Sequence, residues 1–460
     1  MRYTGTMLFL RGLVMACLTA VTAANGVMAQ QSGPRDPLTV IQAVRLAQQT
    51  HPSVGVARAS EAAASAAVGQ TRAQWWPFLG TGANLLGYNE PMIVAPIHGF
   101  TEQQFQRIEF EKTLIQGNVS LGWTLFDGGA RGNRIRGAES EAAGAVAAVA
   151  AVEQGLTALV TAAYLRVLSA RGVLDAREQR IASLAAERRR VQQFLAEGQA
   201  AEVELLRVEA ALAEAEAESV ATAAQLDLAE RELARLVNVD LSRVRVDNLA
   251  PVSLPADAAL EERTQLILRS AANNPELERA RQQLGTAQAA HRGAKASWLP
   301  RFDVQGSYQA YSSTAGNYSD LWSVGLGIKW PIFTGGERSN TVARAGALAE
   351  AAGEELRLVE LQVQEDVDRA LNGALETHAL VAALARAVRH QTEVVRIEQL
   401  TLEAGAGTQT DYLRAEADLS RGRSLLVEAQ HAEIAARVEL ARVVGELTAD
   451  WLARNLEIGR

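Results

Sequence analysis

Cysteine is all but missing from this sequence. The 460 residues contain one, Cys17, and it lies in a stretch that reads as an export signal. Arg2 and Arg11 give a basic start, Leu13 to Ala24 an apolar core, and Val27-Met28-Ala29 a small-residue cleavage site before Gln30. Lipidation of Cys17 after Val14-Met15-Ala16 is the lesser alternative, because the apolar run continues past the cysteine. Cleavage after Ala29 leaves no thiol, which excludes disulfides and thiol chemistry in any compartment. Histidine is scarce, and His51, His98, His291, His378, His390 and His431 show no metal-ligand spacing, so they read as solvated helix positions. Met92, placed in an external loop, is the one methionine beyond the signal, which argues against a soft-metal relay. No glycine-rich phosphate loop follows a strand and no nucleophile motif is present, so no catalytic residue, metal site or cofactor is expected. Basic charge is short as well: the net charge of −8 becomes −10 when the two signal arginines are removed, which argues against a nucleic-acid partner.

Proline is absent from 97–250 and from 332–460, and both stretches are rich in Ala, Glu, Leu, Arg and Gln. That composition predicts long helices rather than compact α/β domains. Aromatics make up only 5% of the chain, and 17 of the 23 fall within 75–126 and 298–333. No segment beyond the signal has 18 consecutive apolar residues. The alanine-rich run Ala142–Val152, flanked by Glu141 and Glu153, is too short and too weakly apolar to span a bilayer, so no transmembrane helix is expected.

What is present is an internal repeat. His51-Pro52 matches Asn274-Pro275 and Trp76-Pro77 matches Leu299-Pro300, both 223 residues apart. Leu125-Phe126-Asp127-Gly128-Gly129 matches Ile332-Phe333-Thr334-Gly335-Gly336 at a spacing of 207, as do Gly198 with Gly405 and Leu206-Arg207 with Leu413-Arg414. The shift between spacings falls between Pro77 and Leu125, which puts a longer loop in the first copy, around Asn89 to Gln116. The predicted organisation is a signal peptide at 1–29, a first repeat at 30–237, a linker at 238–260, a second repeat at 261–445 and a tail at 446–460. Each repeat carries two short helices, a β-hairpin (about 78–126 and about 301–333), and a long helical hairpin broken at a glycine.

The aromatic windows alternate with period two. Trp322, Val324, Leu326, Ile328 and Trp330 interleave with Ser323, Gly325, Gly327 and Lys329; Val119, Leu121, Trp123 and Leu125 interleave with Ser120, Gly122 and Thr124. Strands of about 10 residues with one greasy face suit an outer membrane. Trp75, Trp76, Trp123, Trp298, Trp330 and Phe333 on one side, and Tyr88, Tyr311, Tyr318 and Trp322 on the other, read as two membrane aromatic girdles. Two hairpins supply four strands per chain, too few to close a barrel, so the chain is expected to oligomerise; a conducting pore favours three copies over two. At the strand ends, Asp127 and Thr334 are expected as helix N-caps, with Gly128, Gly129, Gly335 and Gly336 supplying positive φ where strand turns into helix.

Over the whole mature chain this pattern resembles the TolC-like outer-membrane efflux protein family. The resemblance rests on the duplication, on Leu125-Phe126-Asp127-Gly128-Gly129 and Pro331-Ile332-Phe333-Thr334-Gly335-Gly336, and on the helix turns at Gly198 and Gly405. It implies an α+β membrane protein: a homotrimer whose 12-stranded β-barrel continues into a long periplasmic α-helical barrel. It also implies docking to a periplasmic adaptor and an inner-membrane transporter, and outer-membrane localisation. The turns at Gly198 and Gly405 then mark the periplasmic gate and adaptor tip. Glu204 and Asp411 match an acidic position six residues after each glycine, and three copies of Asp411 would make a carboxylate ring. As helix N-terminal acids they would also be stabilised by the dipole. The family's best-studied gate has a base where this chain has Gly407 and an acid where it has Arg414, so its latch does not carry over.

Glu187-Arg188-Arg189-Arg190 reads as a solvated helix face. The functional expectation is an outer-membrane exit duct for a tripartite efflux pump or a type I secretion system. The alternatives are a trimeric coiled-coil adhesin or scaffold without a conduit, which strands interrupting the helices twice disfavour, and a soluble periplasmic adaptor, which would lack aromatic-belted strands.

Overall fold

A computed structural model describes residues 37–94, 110–238, 248–255, 259–314, 316 and 318–459. The signal segment with Cys17, His98 and part of the linker lie outside them. Residues from Leu38 onward form one compact unit.

Two short helices open it, α1 (Val40–Thr50) and α2 (Pro52–Ala73). Thr39 and Gln42 form a capping box at the start of α1, and the His51 ring nitrogen accepts from the Ser53 amide at 3.3 Å to cap α2, whose first residue is Pro52. Strands β1 (Phe78–Ile93) and β2 (Phe110–Phe126) follow, then α3 (Ala130–Ala196), α4 (Glu202–Val237) and a short β3 (Val252–Ser253). The second half has α5 (Arg263–Asn273), α6 (Pro275–Lys295) with a 3-10 turn at Ala296–Trp298, β4 (Arg301–Ser313), β5 (Tyr318–Lys329), α7 (Glu337–Glu403) and α8 (Gln409–Val444). Asn274 caps α6 just as His51 caps α2, its side-chain oxygen accepting from Glu276 and Leu277 ahead of Pro275. The chain closes with α9 (Ala449–Asn455) and β6 (Glu457–Ile458).

The long helices match in length across the halves: 67 residues in α3 and α7, 36 in α4 and α8. At about 1.5 Å per residue, the longer pair spans roughly 100 Å. Alanine-rich faces let neighbouring helices approach closely. At Gly172 in α3, an added Cβ would sit 2.7 Å from the Val427 side chain of α8, so only glycine fits there.

Mid-length, the helices share an apolar core. Val40, Val44, Val160, Tyr164, Leu233, Val438 and Leu452 are fully or nearly fully buried in it. The 446–460 segment is not a free tail. Leu447, Leu452 and Leu456 are part of this core, and β6 pairs antiparallel with β3, Val252 opposite Ile458. Apolar spacing in so short a segment was too sparse to register as an element.

The main sheet is antiparallel in the order β1-β2-β4-β5. Its strands hold 16, 17, 13 and 12 residues, longer than expected. The first hairpin therefore absorbs much of the loop expected around Asn89 to Gln116, and Met92 lies in β1, opposite Glu111. A register shift between Gly87 and Met92 lets the strand continue through a stretch with broken alternation. Pro91 is tolerated there because it falls in the shifted stretch, where it has no ladder partner. One feature of α3 departs from the sequence expectation: an 18-residue window has mean hydropathy 1.6, enough by length and composition to cross a membrane. The charges that flank Ala142–Val152 are too sparse to lower the window average, yet the helix packs along α2, α4, α6 and α8.

The Tyr164 hydroxyl lies 2.7 Å from both the Leu38 and the Ala250 carbonyls, tying α3 to the entry segment and to the linker. Burial pushes its phenol well above the ordinary value, so it stays a donor at any working pH. Tyr164→Phe is expected to cost about 1–3 kcal/mol, read as a lower thermal midpoint of the detergent-solubilised protein; an unchanged midpoint would show the tie to be idle.

Candidate functional site: the sheet-to-helix junction and the helical tip

Where β2 passes into α3, Gly128 and Gly129 have φ of 66° and 88°; where β5 leads to α7, Gly335 and Gly336 have 59° and 90°. The left-handed region admits glycine at no steric cost, so the chain can swing from strand to helix within two residues. The expected caps need correcting. Gly129 and Gly336 occupy the N-cap positions, and neither Asp127 nor Thr334 does. Asp127 instead reaches one turn in, accepting from the Arg131 backbone at 2.8 Å and pairing with the Arg131 guanidinium at 3.2 Å.

Arg131 is the residue on which the first junction is built. It is 3% exposed, donates to the Gln74 and Leu125 carbonyls at 3.2 Å each, and lies 4.3 Å from the Trp75 ring centre. Arg338 does the same in the second half: 8% exposed, bonded to the Ser297 and Ile332 carbonyls, and 4.6 Å from the Trp298 ring. A guanidinium suits this place because its fork can satisfy several strand-end carbonyls while its face stacks on indole. Neither arginine was singled out from the sequence. Each stands four residues after Asp127 or Thr334, and that recurrence was the available signal. The halves differ in one respect: Thr334 offers Arg338 a hydroxyl at 3.4 Å where Asp127 offers Arg131 a carboxylate.

The indoles tie helix end to strand. Trp123 donates to the Trp75 carbonyl at 2.9 Å, and Trp330 to the Trp298 carbonyl at 3.2 Å. Trp76 is 76% exposed and Phe333 89%, so the junction carries a rim of unburied aromatics. Trp322 is on the same sheet face, opposite Tyr308, whose hydroxyl meets that of Tyr318 at 2.8 Å. From Trp322 to Trp330 is roughly 26 Å of strand, close to the height of an outer-membrane apolar band. Tyr311 does not join this face. It alternates onto the polar side with Gln309, to which its hydroxyl donates.

At the other end of the helices, α3 and α7 finish in matching glycine caps. Gly198 has φ 74° and Gly405 72°, and the next amides, Gln199 and Ala406, reach back to Phe194 and Thr401 at 2.7 and 2.9 Å. Glu204 and Asp411 fall in the first turns of α4 and α8. Asp411 is exposed and accepts from the Thr408 hydroxyl at 2.6 Å, while Thr408 caps α8 by accepting the Asp411 amide.

The base of α8 is tied to its neighbours. Arg190 of α3 is bonded to Glu187 at 2.6 and 2.8 Å, lies 5.3 Å from the Phe194 ring and reaches Gln409 at 3.5 Å; Arg207 of α4 donates to Thr410 at 3.1 Å. Glu187 is 8% exposed, so the Glu187–Arg190 run is only partly a solvated face, because α8 packs over it. The histidines are not uniformly solvated either: His378 is exposed and bonds Glu433 at 2.8 Å, but His431 is half-buried and bonds the Val427 carbonyl at 2.8 Å. Deeper in α8, the Tyr412 hydroxyl donates to Glu416 at 3.3 Å, both side chains buried. Burial pushes the Glu416 carboxyl above the usual range, against the Tyr412 hydrogen bond and the charges of Arg423 and Arg180. No cluster of metal-ligating side chains occurs among the described residues.

The sequence model of the outer membrane efflux protein family matches residues 43–239 and 266–446. The chain belongs to that family. It is similar to outer membrane efflux protein BepC of Brucella suis, 24% identical over 73% of each chain. Protein CyaE of Bordetella pertussis is 28% identical over 86% of this chain and 82% of its own. Among solved structures, the outer membrane protein VceC of Vibrio cholerae superposes with a TM-score of 0.73 at 18% identity, covering 88% of this chain and 96% of that one. The fold is thus the mostly helical α+β fold of the outer-membrane channels, and the protein is an outer-membrane protein with a periplasmic helical extension.

Arg131→Ala leaves the Asp127 carboxylate, 10% exposed, with the backbone amide of residue 131 and, as countercharge, only Arg134 at 3.7 Å. It is expected to cost about 3 kcal/mol, against about 1–2 kcal/mol for Arg338→Ala, which leaves no acid behind. Thermal unfolding of the two variants checks this, and equal losses would refute the asymmetry. For Glu416 the folded protein favours the protonated form. Its contribution is present in full below the ordinary carboxylate pKa and is lost as pH rises through the raised folded value. Glu416→Gln is therefore expected to raise the thermal midpoint at pH 7 and to change it little at pH 4.

Proposed function

We propose that this protein is the passive outer-membrane exit duct of a tripartite efflux or type I secretion system. Three chains contribute four strands each to a 12-stranded barrel, and their long helices continue it as a periplasmic tunnel. The observation that carries this reading is the sheet itself: four strands, a greasy aromatic-rimmed face, and two edge strands, β1 and β5, with no partner among the described residues. Hydrocarbon does not tolerate such edges, so β5 of one chain must pair with β1 of the next. Two copies would close an eight-stranded barrel filled by its own side chains, whereas twelve strands leave a lumen.

The matched halves are a duplication of one hairpin-and-helix unit. The tip turns at Gly198 and Gly405, with Glu204 and Asp411, form the periplasmic end, where an adaptor docks and three copies of Asp411 present a carboxylate ring. Energy comes from an inner-membrane transporter, because an exit duct needs no catalytic centre of its own.

Purified protein reconstituted in planar bilayers is expected to conduct, and chemical crosslinking is expected to stop at three chains. Asp411→Ala is expected to lower cation preference by about twofold to tenfold. No conductance under any condition would sink the duct reading, and an unchanged preference would sink the Asp411 ring alone.

A further inference from the structure

The polar face of the sheet is neutral over most of its height. Gln305, Ser307 and Gln309 on β4 lie beside Ser120 and Asn118 on β2. Its charge is concentrated at the helix-proximal end, where Arg301 is directly opposite Lys329 in the β4–β5 ladder. Asp303 follows two residues along β4, in the same phase as Arg301 and opposite Thr124 of β2. The other charges of the described strands, Glu90, Glu111, Lys112 and Asp320, lie toward the opposite end.

Like charges directly opposite one another weaken a sheet. Here the local hydrogen bonds hold one of the two cations in place. Arg301 Nε donates to Asp303 at 2.8 Å, its Nη2 donates to the Thr124 hydroxyl at 2.8 Å, and that hydroxyl donates to Asp303 at 2.7 Å. The Asp303 side chain is 7% exposed while that of Arg301 is 55% exposed, so the carboxylate is covered and the guanidinium faces the open side. Lys329 is exposed on the same face. Asp303 thus positions one cation without cancelling both, and each chain presents one net positive charge at this level.

We propose that Arg301 and Lys329 form a cationic ring at the inner end of the barrel lumen, and that it draws multivalent anions into the barrel. The inference rests on the duct reading, since three copies around a closed barrel turn the pair into a ring of six cations over three covered carboxylates. Low-dielectric walls focus the field of such a ring on the lumen. Cargo carrying phosphate or clustered carboxylates is the chemical class it favours. In series with the Asp411 level, the duct would then present acid at one end of the tunnel and base at the other.

The test is single-channel recording at about 0.01 M salt, where charges are felt over roughly 30 Å, with sodium tripolyphosphate added on the barrel side. Lys329→Glu is the working variant, because Lys329 takes no part in the Arg301–Asp303–Thr124 hydrogen bonds. Arg301→Gln with Lys329→Gln is the second. Wild type is expected to be blocked by tripolyphosphate, with the blocking concentration rising roughly fivefold or more in Lys329→Glu and the chloride-to-potassium permeability ratio falling in step. Equal block and an equal ratio in wild type and Lys329→Glu would overturn the ring while leaving a conducting duct intact. A wild-type protein that never conducts would overturn the duct reading and the ring with it.

Discussion

Backbone N–H and C=O groups that meet hydrocarbon must find partners within protein, and in this chain the requirement falls on β1 and β5. The sheet pairs its inner strands to each other and leaves those two edges open. The helical part is under no such rule, since each long helix satisfies its own backbone and needs only side-chain contacts along its length. One molecule therefore has two different assembly problems. The sheet end is incomplete by hydrogen bonding, whereas the helical end is not.

The junction reconciles these two materials. A strand end leaves carbonyls that no ladder partner reaches, and a helix start leaves amides with no acceptor. Arg131 and Arg338 answer the carbonyls, the glycine pairs turn the chain, and the indoles of Trp123 and Trp330 bond the carbonyls of Trp75 and Trp298. The side chains that anchor the junction are nearly covered, whereas the aromatics around it are not. The rim stays open while the polar groups of the junction are satisfied inside.

Much of the architecture could be read from the sequence because its signals are local. Proline-free alanine-rich runs, the His51-Pro52 and Asn274-Pro275 steps, period-two alternation and paired glycines act within a few residues of themselves. What escaped was decided by contacts distant in sequence. Glu187 looks solvated until α8 covers it, and the last residues look like a tail until β6 finds β3 some 200 residues back. At the outer end of the first hairpin, a register shift hides the alternation that a period-two pattern needs. Composition groups Tyr311 with the girdle aromatics, whereas parity sets it with Gln309 on the polar face. Arg131 and Arg338 were overlooked because a single arginine in a helix is unremarkable until its partners are known.

The equality of the long helices, 67 with 67 and 36 with 36 residues, constrains how such a chain can change. Removing one residue from α3 would turn everything beyond it by about 100° and shorten it by about 1.5 Å. Its packing face would rotate away from α8, and its tip would fall out of step with that of α7. A compensating loss would have to occur in the other half as well. The sheet is under no such constraint: its strands hold 16 and 17 residues in the first half and 13 and 12 in the second. The strands can change length independently, while the paired helices hold each other to a fixed gauge.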